Sequence, residues 1–130
     1  MTNVEHRGRG ARIAVVDDEP SVARFVGRLL DIHGYEALVF TNPQRALTEF
    51  MTRADYADLI VTDQTMPGLT GIELIEHIRA RNSRIPVLLF TGFSDVITED
   101  SVKPWEPSAF MTKPLDSMAL LREIDRLLGN

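Results

Sequence analysis

Short apolar runs alternate with helix-spaced apolar stripes along this chain, and that alternation predicts its elements. Arg12–Val16 is an uninterrupted apolar run of the kind found in strands covered on both faces. From Pro20 to His33, Val22, Phe25, Val26, Leu29 and Leu30 recur at helical spacing, and Gly34 supplies the stop. Tyr35–Phe40 reads as a second strand. Asn42 then caps a helix with Pro43 in its first position and Ala46, Leu47, Phe50 and Met51 as its stripe. Leu59-Ile60-Val61 is a third strand. Thr70 and Glu73 stand at capping-box spacing before a helix that runs to about Arg81, with Ile72, Ile75 and Ile78 turned inward. Val87–Phe90 is a fourth strand, a weaker helical pattern spans about Asp95 to Val102, and Ala109-Phe110-Met111 is a short fifth strand. Asp116 or Ser117 caps a last helix bearing Met118, Leu121, Ile124, Leu127 and Leu128. Residues 1–10 are polar and aperiodic, with Gly8 and Gly10, and are expected to be a flexible lead to a domain over 11–130.

Strands that each precede a helix imply an α/β, doubly wound parallel sheet with right-handed crossovers and helices on both faces. Ligands of such sheets sit at the carboxyl ends of the strands, where the strand order reverses. The first strand ends in Asp17-Asp18, the third in Asp63, the fourth in Thr91 and the fifth in Lys113-Pro114. Each residue has a plain structural account on its own. Asp18 can cap a helix, Asp63 can open the Met66-Pro67-Gly68 turn, and Lys113 can be a solvated charge. Four strand ends carrying such groups together point to a site.

Composition narrows the classes. The 130 residues make one domain, and 44% hydrophobic with 25% charged residues is ordinary globular usage. There is no cysteine, which excludes disulfides, thiolate zinc sites and cysteine catalysis. Fourteen Lys and Arg against nineteen Asp and Glu give a net charge of −5, a poor match for nucleic acid or anionic membrane. No apolar run approaches the ~18 residues of a membrane span. The opening residues lack the apolar stretch of a secretory signal, so a cytoplasmic location is expected.

Three carboxylates at one edge restrict the chemistry. Two ionised carboxylates ~4 Å apart repel by ~4 kcal/mol at an effective dielectric of 20. Such a cluster persists by raising a pKa or by binding a cation. Oxygen ligands without histidine suit a hard ion, and Mg²⁺ commonly binds through one or two carboxylates, waters and phosphate oxygens. Asp63 can then act as a nucleophile toward phosphorus, with Lys113 and the metal offsetting charge on the transferring group and the Thr91 hydroxyl donating to it.

The motifs Val15-Val16-Asp17-Asp18-Glu19, Asp63-Gln64-Thr65-Met66-Pro67-Gly68, Thr91-Gly92 and Lys113-Pro114 occur here in an order and spacing that resemble the receiver domain of two-component response regulators. The resemblance covers roughly Arg12 to Leu128. It implies a (βα)5 flavodoxin-like fold with strand order 2-1-3-4-5. It also implies a phosphoacceptor that promotes its own phosphorylation and dephosphorylation rather than a conventional enzyme. On this resemblance Asp63 is the phosphoacceptor, and Asp18, Asp63 and the Thr65 carbonyl hold Mg²⁺, with Asp17 completing the acidic site. Thr91 is the switch hydroxyl, Lys113 the phosphate-pairing lysine, and Phe110 occupies the place of the switch aromatic. The implied partner is a histidine kinase or phosphotransfer domain, with a downstream protein partner and a monomer or weak dimer. Two departures stand out. Lys103-Pro104-Trp105-Glu106-Pro107-Ser108 replaces the usual helix end and small-residue step, and its prolines are expected to shorten or break the fourth helix. Phe93, with Thr65, lies at a position that influences phosphoryl lifetime in the family.

Other readings fit less well. A haloacid-dehalogenase-like phosphatase wants a second aspartate two residues after its nucleophile, where this chain has Thr65. A flavin-binding module needs a hydroxyl- and glycine-rich phosphate loop, whereas Asp17-Asp18-Glu19-Pro20 repels phosphate. A receiver-like scaffold that is never phosphorylated usually loses an acidic or lysine position, and none is lost here. The lead Gly8-Arg9-Gly10-Ala11-Arg12 resembles the linker before the carboxy-terminal receiver of hybrid histidine kinases, so a stand-alone regulator and a hybrid-kinase fragment both remain open. His6, His33 and His77 read as surface residues, and DNA binding by this segment is not expected.

Overall fold

A computed structural model of the chain describes residues 10–92 and 98–129. Strands β1 (Arg12–Val16), β2 (Glu36–Phe40), β3 (Leu59–Asp63), β4 (Val87–Thr91) and β5 (Ser108–Thr112) form one sheet in the order β2-β1-β3-β4-β5. Every pairing is parallel. The helices are α1 (Pro20–Ile32), α2 (Pro43–Thr52), α3 (Gly71–Arg81) and α4 (Ser117–Leu128), with a 3-10 helix over Glu99–Trp105 before β5. This is the doubly wound, flavodoxin-like fold, with the strand order reversing between β1 and β3.

The period-two alternation of the strands divides the interior into two cores. Ala14, Val16, Ile60, Val87 and Leu89 face Ala46 and Phe50 of α2 and Leu74, Ile75 and Ile78 of α3. Ile13, Val15, Leu59, Val61, Leu88 and Phe90 face Val26 and Leu30 of α1 and Leu120, Leu121 and Ile124 of α4. The three central strands are apolar for most of their length because both faces are covered. No described helix is long and apolar enough to cross a membrane.

The helix ends follow local chemistry. Asn42 accepts from the Gln44 N–H, Thr70 and Glu73 complete the capping box of α3, and Asp116, not Ser117, caps α4 through the Met118 and Ala119 N–H groups. Helix α1 ends at Ile32, and Gly34 follows with φ 90°. The predicted fourth helix begins at residues outside the described ones. Its described part is a 3-10 helix that runs on to Trp105 with Pro104 inside it. Pro104 offers no N–H, and the shorter 3-10 turn accommodates it. The Trp105 side chain packs against the α3-side core, and its carbonyl accepts from Arg79 Nη1 at 2.7 Å. The fifth strand is longer than its apolar triplet, since Ser108 and Thr112 also pair with β4. Of the expected lead, only Gly10 is described, its N–H donating to the Gly34 carbonyl.

Candidate functional site

Strand direction brings the predicted polar residues to one rim, and strand parity then sorts them. Asp17, Asp63 and Lys113 continue the alternate positions of Ile13 and Val15, Leu59 and Val61, and Ala109 and Met111, all of which face the α1–α4 side. Thr91 continues the Val87 and Leu89 positions and so belongs to the opposite, α3 side. Phe110 shares that side, standing across from Leu89 in the ladder, half-buried against the core that Trp105 also covers.

Lys113 ties the carboxylates together. Its Nζ lies 3.3 Å from Asp17 Oδ2, 3.5 Å from Asp63 Oδ1 and 3.5 Å from Glu19 Oε1. The ammonium also sits 5.4 Å from the centroid of the Phe90 ring, whose face favours a cation. Its backbone is held in place as well, because the Lys113 N–H donates to the Thr91 carbonyl at 2.8 Å. That bond sets the lysine and the threonine side by side at the ends of adjacent strands.

Asp63 is the last residue of β3 and is buried. Oδ1 accepts the Gln64 N–H at 2.9 Å. Burial first, and then the neighbouring Asp17 charge, push its carboxyl up to about 6 against the opposing pull of Lys113. Asp17 is raised as well, chiefly by burial, while the Glu19 N–H and Lys113 act the other way. Burial disfavours the Lys113 ammonium, yet the Asp17 and Asp63 carboxylates more than offset it, and its pKa is raised.

Asp18 completes the cluster. Asp17, Asp18 and Asp63 each present a carboxylate oxygen, and these oxygens lie within 4.8 Å of one another. Asp17 Oδ2 is buried and meets no hydrogen-bond donor in good geometry. An oxygen-only set of three carboxylates, offset at this depth by the single Lys113 ammonium, fits a hard dication. Thr65 is exposed in the loop that follows β3, and Phe93 lies outside the described residues.

Three contributors were not assigned a part from sequence. Glu19 carries the acidic run one residue further and reaches Lys113 from the solvent side. Gln64 receives the start of α3, its carbonyl accepting the Gly71 N–H and its Oε1 the Ile72 N–H, each at 2.9 Å. Gly71 lets that helix approach, because a Cβ there would run into the Asp63 carbonyl and Leu89. The third acidic residue after β1 was a visible signal for Glu19. Gln64 and Gly71 act through backbone contacts that residue type alone does not disclose.

Residues 13–125 match the response regulator receiver domain family. The sensory transduction protein RegX3 of Mycobacterium tuberculosis is 36% identical over 118 residues, which span 89% of this chain and 50% of that protein. The phosphoglycerate transport system transcriptional regulatory protein PgtA of Salmonella typhimurium is 33% identical over 119 residues, 89% of this chain and 28% of that protein. The chain thus spans half or less of the length of these relatives. Among solved structures, a response regulator receiver domain protein from Clostridium thermocellum superposes with a TM-score of 0.83 at 26% identity, covering 92% of this chain and 94% of that one. The chemotaxis protein CheY4 of Vibrio cholerae gives 0.80 at 26% identity, covering 92% and 99%. With the acidic cluster and lysine at the strand ends and the match running through nearly the whole described fold, this chain belongs to the response regulator receiver domain family.

Proposed function

We propose that the receiver unit, residues 11–130, accepts a phosphoryl group on Asp63 from the phosphohistidine of a histidine kinase or phosphotransfer domain. The observation that carries this reading is the Asp63 carboxylate at the end of β3, with Lys113 Nζ 3.5 Å from Oδ1 and the Asp17 and Asp18 carboxylates beside it. An Asp63 oxygen forms the new bond to phosphorus as the bond to the donor imidazole nitrogen breaks, and the imidazole takes up a proton from solvent. Asp17, Asp18, Asp63 and the Thr65 carbonyl are the groups that would hold Mg²⁺, which supplies charge neutralisation on the transferring phosphoryl oxygens. Lys113 faces the same oxygens as a fixed cation and keeps the product anion paired.

The response follows from where Thr91 and Phe110 sit. A phosphoryl group adds roughly −1.5 to −2 charge and three strong acceptor oxygens. The Thr91 hydroxyl turns toward them, and the Phe110 ring, on the same side of the sheet, fills the space vacated. The surface altered is that of the 3-10 helix, β5 and α4, and it serves a protein partner, the chain remaining a monomer or weak dimer. A scaffold that is never phosphorylated is the competing reading.

Intact mass after incubation with phosphoramidate and Mg²⁺ tests the proposal. One added phosphoryl group is expected on the wild type, and none on Asp63→Ala or in EDTA. Unchanged labelling of Asp63→Ala refutes the phosphoacceptor assignment, and full labelling in EDTA refutes the metal's part.

A further inference from the structure

We infer that Glu19 is a charge filter at the mouth of the site, a specificity-determining residue that discriminates among phosphodonors by their negative charge. The inference rests on Asp63 being the phosphoacceptor. Exposure orders the four groups around the ammonium: the side chains of Asp17, Asp63, Lys113 and Glu19 are 0%, 6%, 23% and 63% accessible. A donor approaching Asp63 from solvent therefore passes Glu19 and Lys113 before it reaches the buried carboxylates.

Glu19 is held where it can act in this way. Its N–H donates to Asp17 Oδ1 at 2.9 Å, and Pro20 starts α1 directly after it. Although Glu19 is the residue that caps α1, its side chain makes no capping hydrogen bond. The carboxylate turns to Lys113 instead, 3.5 Å away, its only ion pair among the described residues. The cleft on the other flank of Lys113, lined by Ser21, Val22, Phe25, Pro114 and Leu115, offers no second cation.

Charge balance then singles Glu19 out. It lies outside the group of Asp17, Asp18 and Asp63 whose oxygens come together. A dication held by that group, with Lys113, would balance those three carboxylates. Glu19 is left as the uncompensated charge, paired only with an ammonium that the incoming phosphoryl group must also engage. An exposed ion pair of this kind is weak, so the carboxylate is not locked onto the ammonium and still faces an incoming donor. Each additional negative charge on a donor about 5 Å from Glu19 is disfavoured by roughly fourfold in a water-like dielectric at low ionic strength.

The test compares labelling rates with acetyl phosphate, a dianion at pH 7.5, and phosphoramidate, which carries one net negative charge there. Glu19→Gln is expected, at low ionic strength, to speed labelling by acetyl phosphate about fourfold more than labelling by phosphoramidate. Glu19→Asp should keep the wild-type ratio, and the difference should collapse in 1 M salt, where the Debye length is about 3 Å. Affinity for Mg²⁺, measured by calorimetry without any donor, should change less than about threefold in Glu19→Gln. Equal changes with both donors, or a difference that survives high salt, would overturn the filter. A loss of Mg²⁺ affinity as large as that of Asp18→Asn would make Glu19 a metal ligand and overturn it too. A wild type that takes phosphate from neither donor rejects instead the underlying assignment of Asp63, and the inference with it.

Discussion

Gly71 lies directly against the backbone carbonyl of Asp63, so close that any Cβ at position 71 would overlap the oxygen. The first turn of α3 and the end of β3 are thus one packed unit, joined also by the Gly71 N–H to the Gln64 carbonyl. Gly71→Ala is expected to cost about 1–3 kcal/mol, because backbone on both sides must move to admit one methyl group. Urea unfolding measures this. The helix preference for alanine over glycine, about 1 kcal/mol, works in the opposite direction, and a stabilised variant would show that the contact yields easily.

The raised Asp63 carboxyl makes stability depend on pH in a defined direction. A group moved from 3.8 to about 6 binds its proton more tightly in the folded chain than in the unfolded one. Stability is therefore lost as pH rises through the interval from 3.8 to about 6, by about 3 kcal/mol in all for this group. Asp17, shifted in the same direction, adds to the loss. Asp63→Asn should be more stable than the wild type at pH 7.5, and its advantage should shrink steadily toward pH 4. Paired denaturant melts across that range check it, and a constant difference would contradict the electrostatic origin.

Asp18→Asn and Lys113→Ala should fail for different reasons. The first removes a metal carboxylate, so the stabilisation that Mg²⁺ gives the wild type, about 2.7 kcal/mol at a hundredfold excess over Kd, should largely disappear. The second leaves the acidic group intact, so Mg²⁺ should still raise the melting temperature. Labelling of Lys113→Ala is expected to persist while the response of Trp105 is lost. If both variants lost Mg²⁺ stabilisation equally, the separation of roles would not stand.

Trp105 should report phosphorylation. Its side chain covers the same core as Phe110, and its carbonyl is fixed by Arg79, so a rotamer change of Phe110 alters the ring's surroundings without freeing its backbone. The single tryptophan should shift its emission on full activation while sedimentation shows no tight dimer. An unchanged spectrum would place the altered surface elsewhere, and a tight activated dimer would contradict the monomer.

Much of this architecture is legible in the chain itself. The run Ile13–Val16 gives a central strand because nothing polar interrupts it, and Thr70 with Glu73 marks the start of α3 because a capping box satisfies backbone donors locally. Asp17, Asp63 and Lys113 could be placed at one rim because parallel strands all end there. Less legible were features decided by distant contacts. Glu19 meets a lysine 94 positions away, and Gly71 is required by a carbonyl on a neighbouring strand. Around Pro104 the sequence announces a disturbed helix, but whether the turn tightens or stops depends on Val102 and Trp105 reaching the core.

Because the strands are all parallel, the two ends of the described fold emerge far from the carboxylates. Gly10 is bonded to Gly34 just before β2 begins, and near the end of α4 Arg126 Nη2 donates to the Ser108 carbonyl at the start of β5. Tyr35, the residue just before β2, donates its hydroxyl to Asp125 of the same helix. Both described ends therefore lie at the rim opposite the carboxylates. Such an arrangement suits a unit that fills only half or less of its relatives' length. It also makes both ends natural attachment points for a fluorophore or a surface tether.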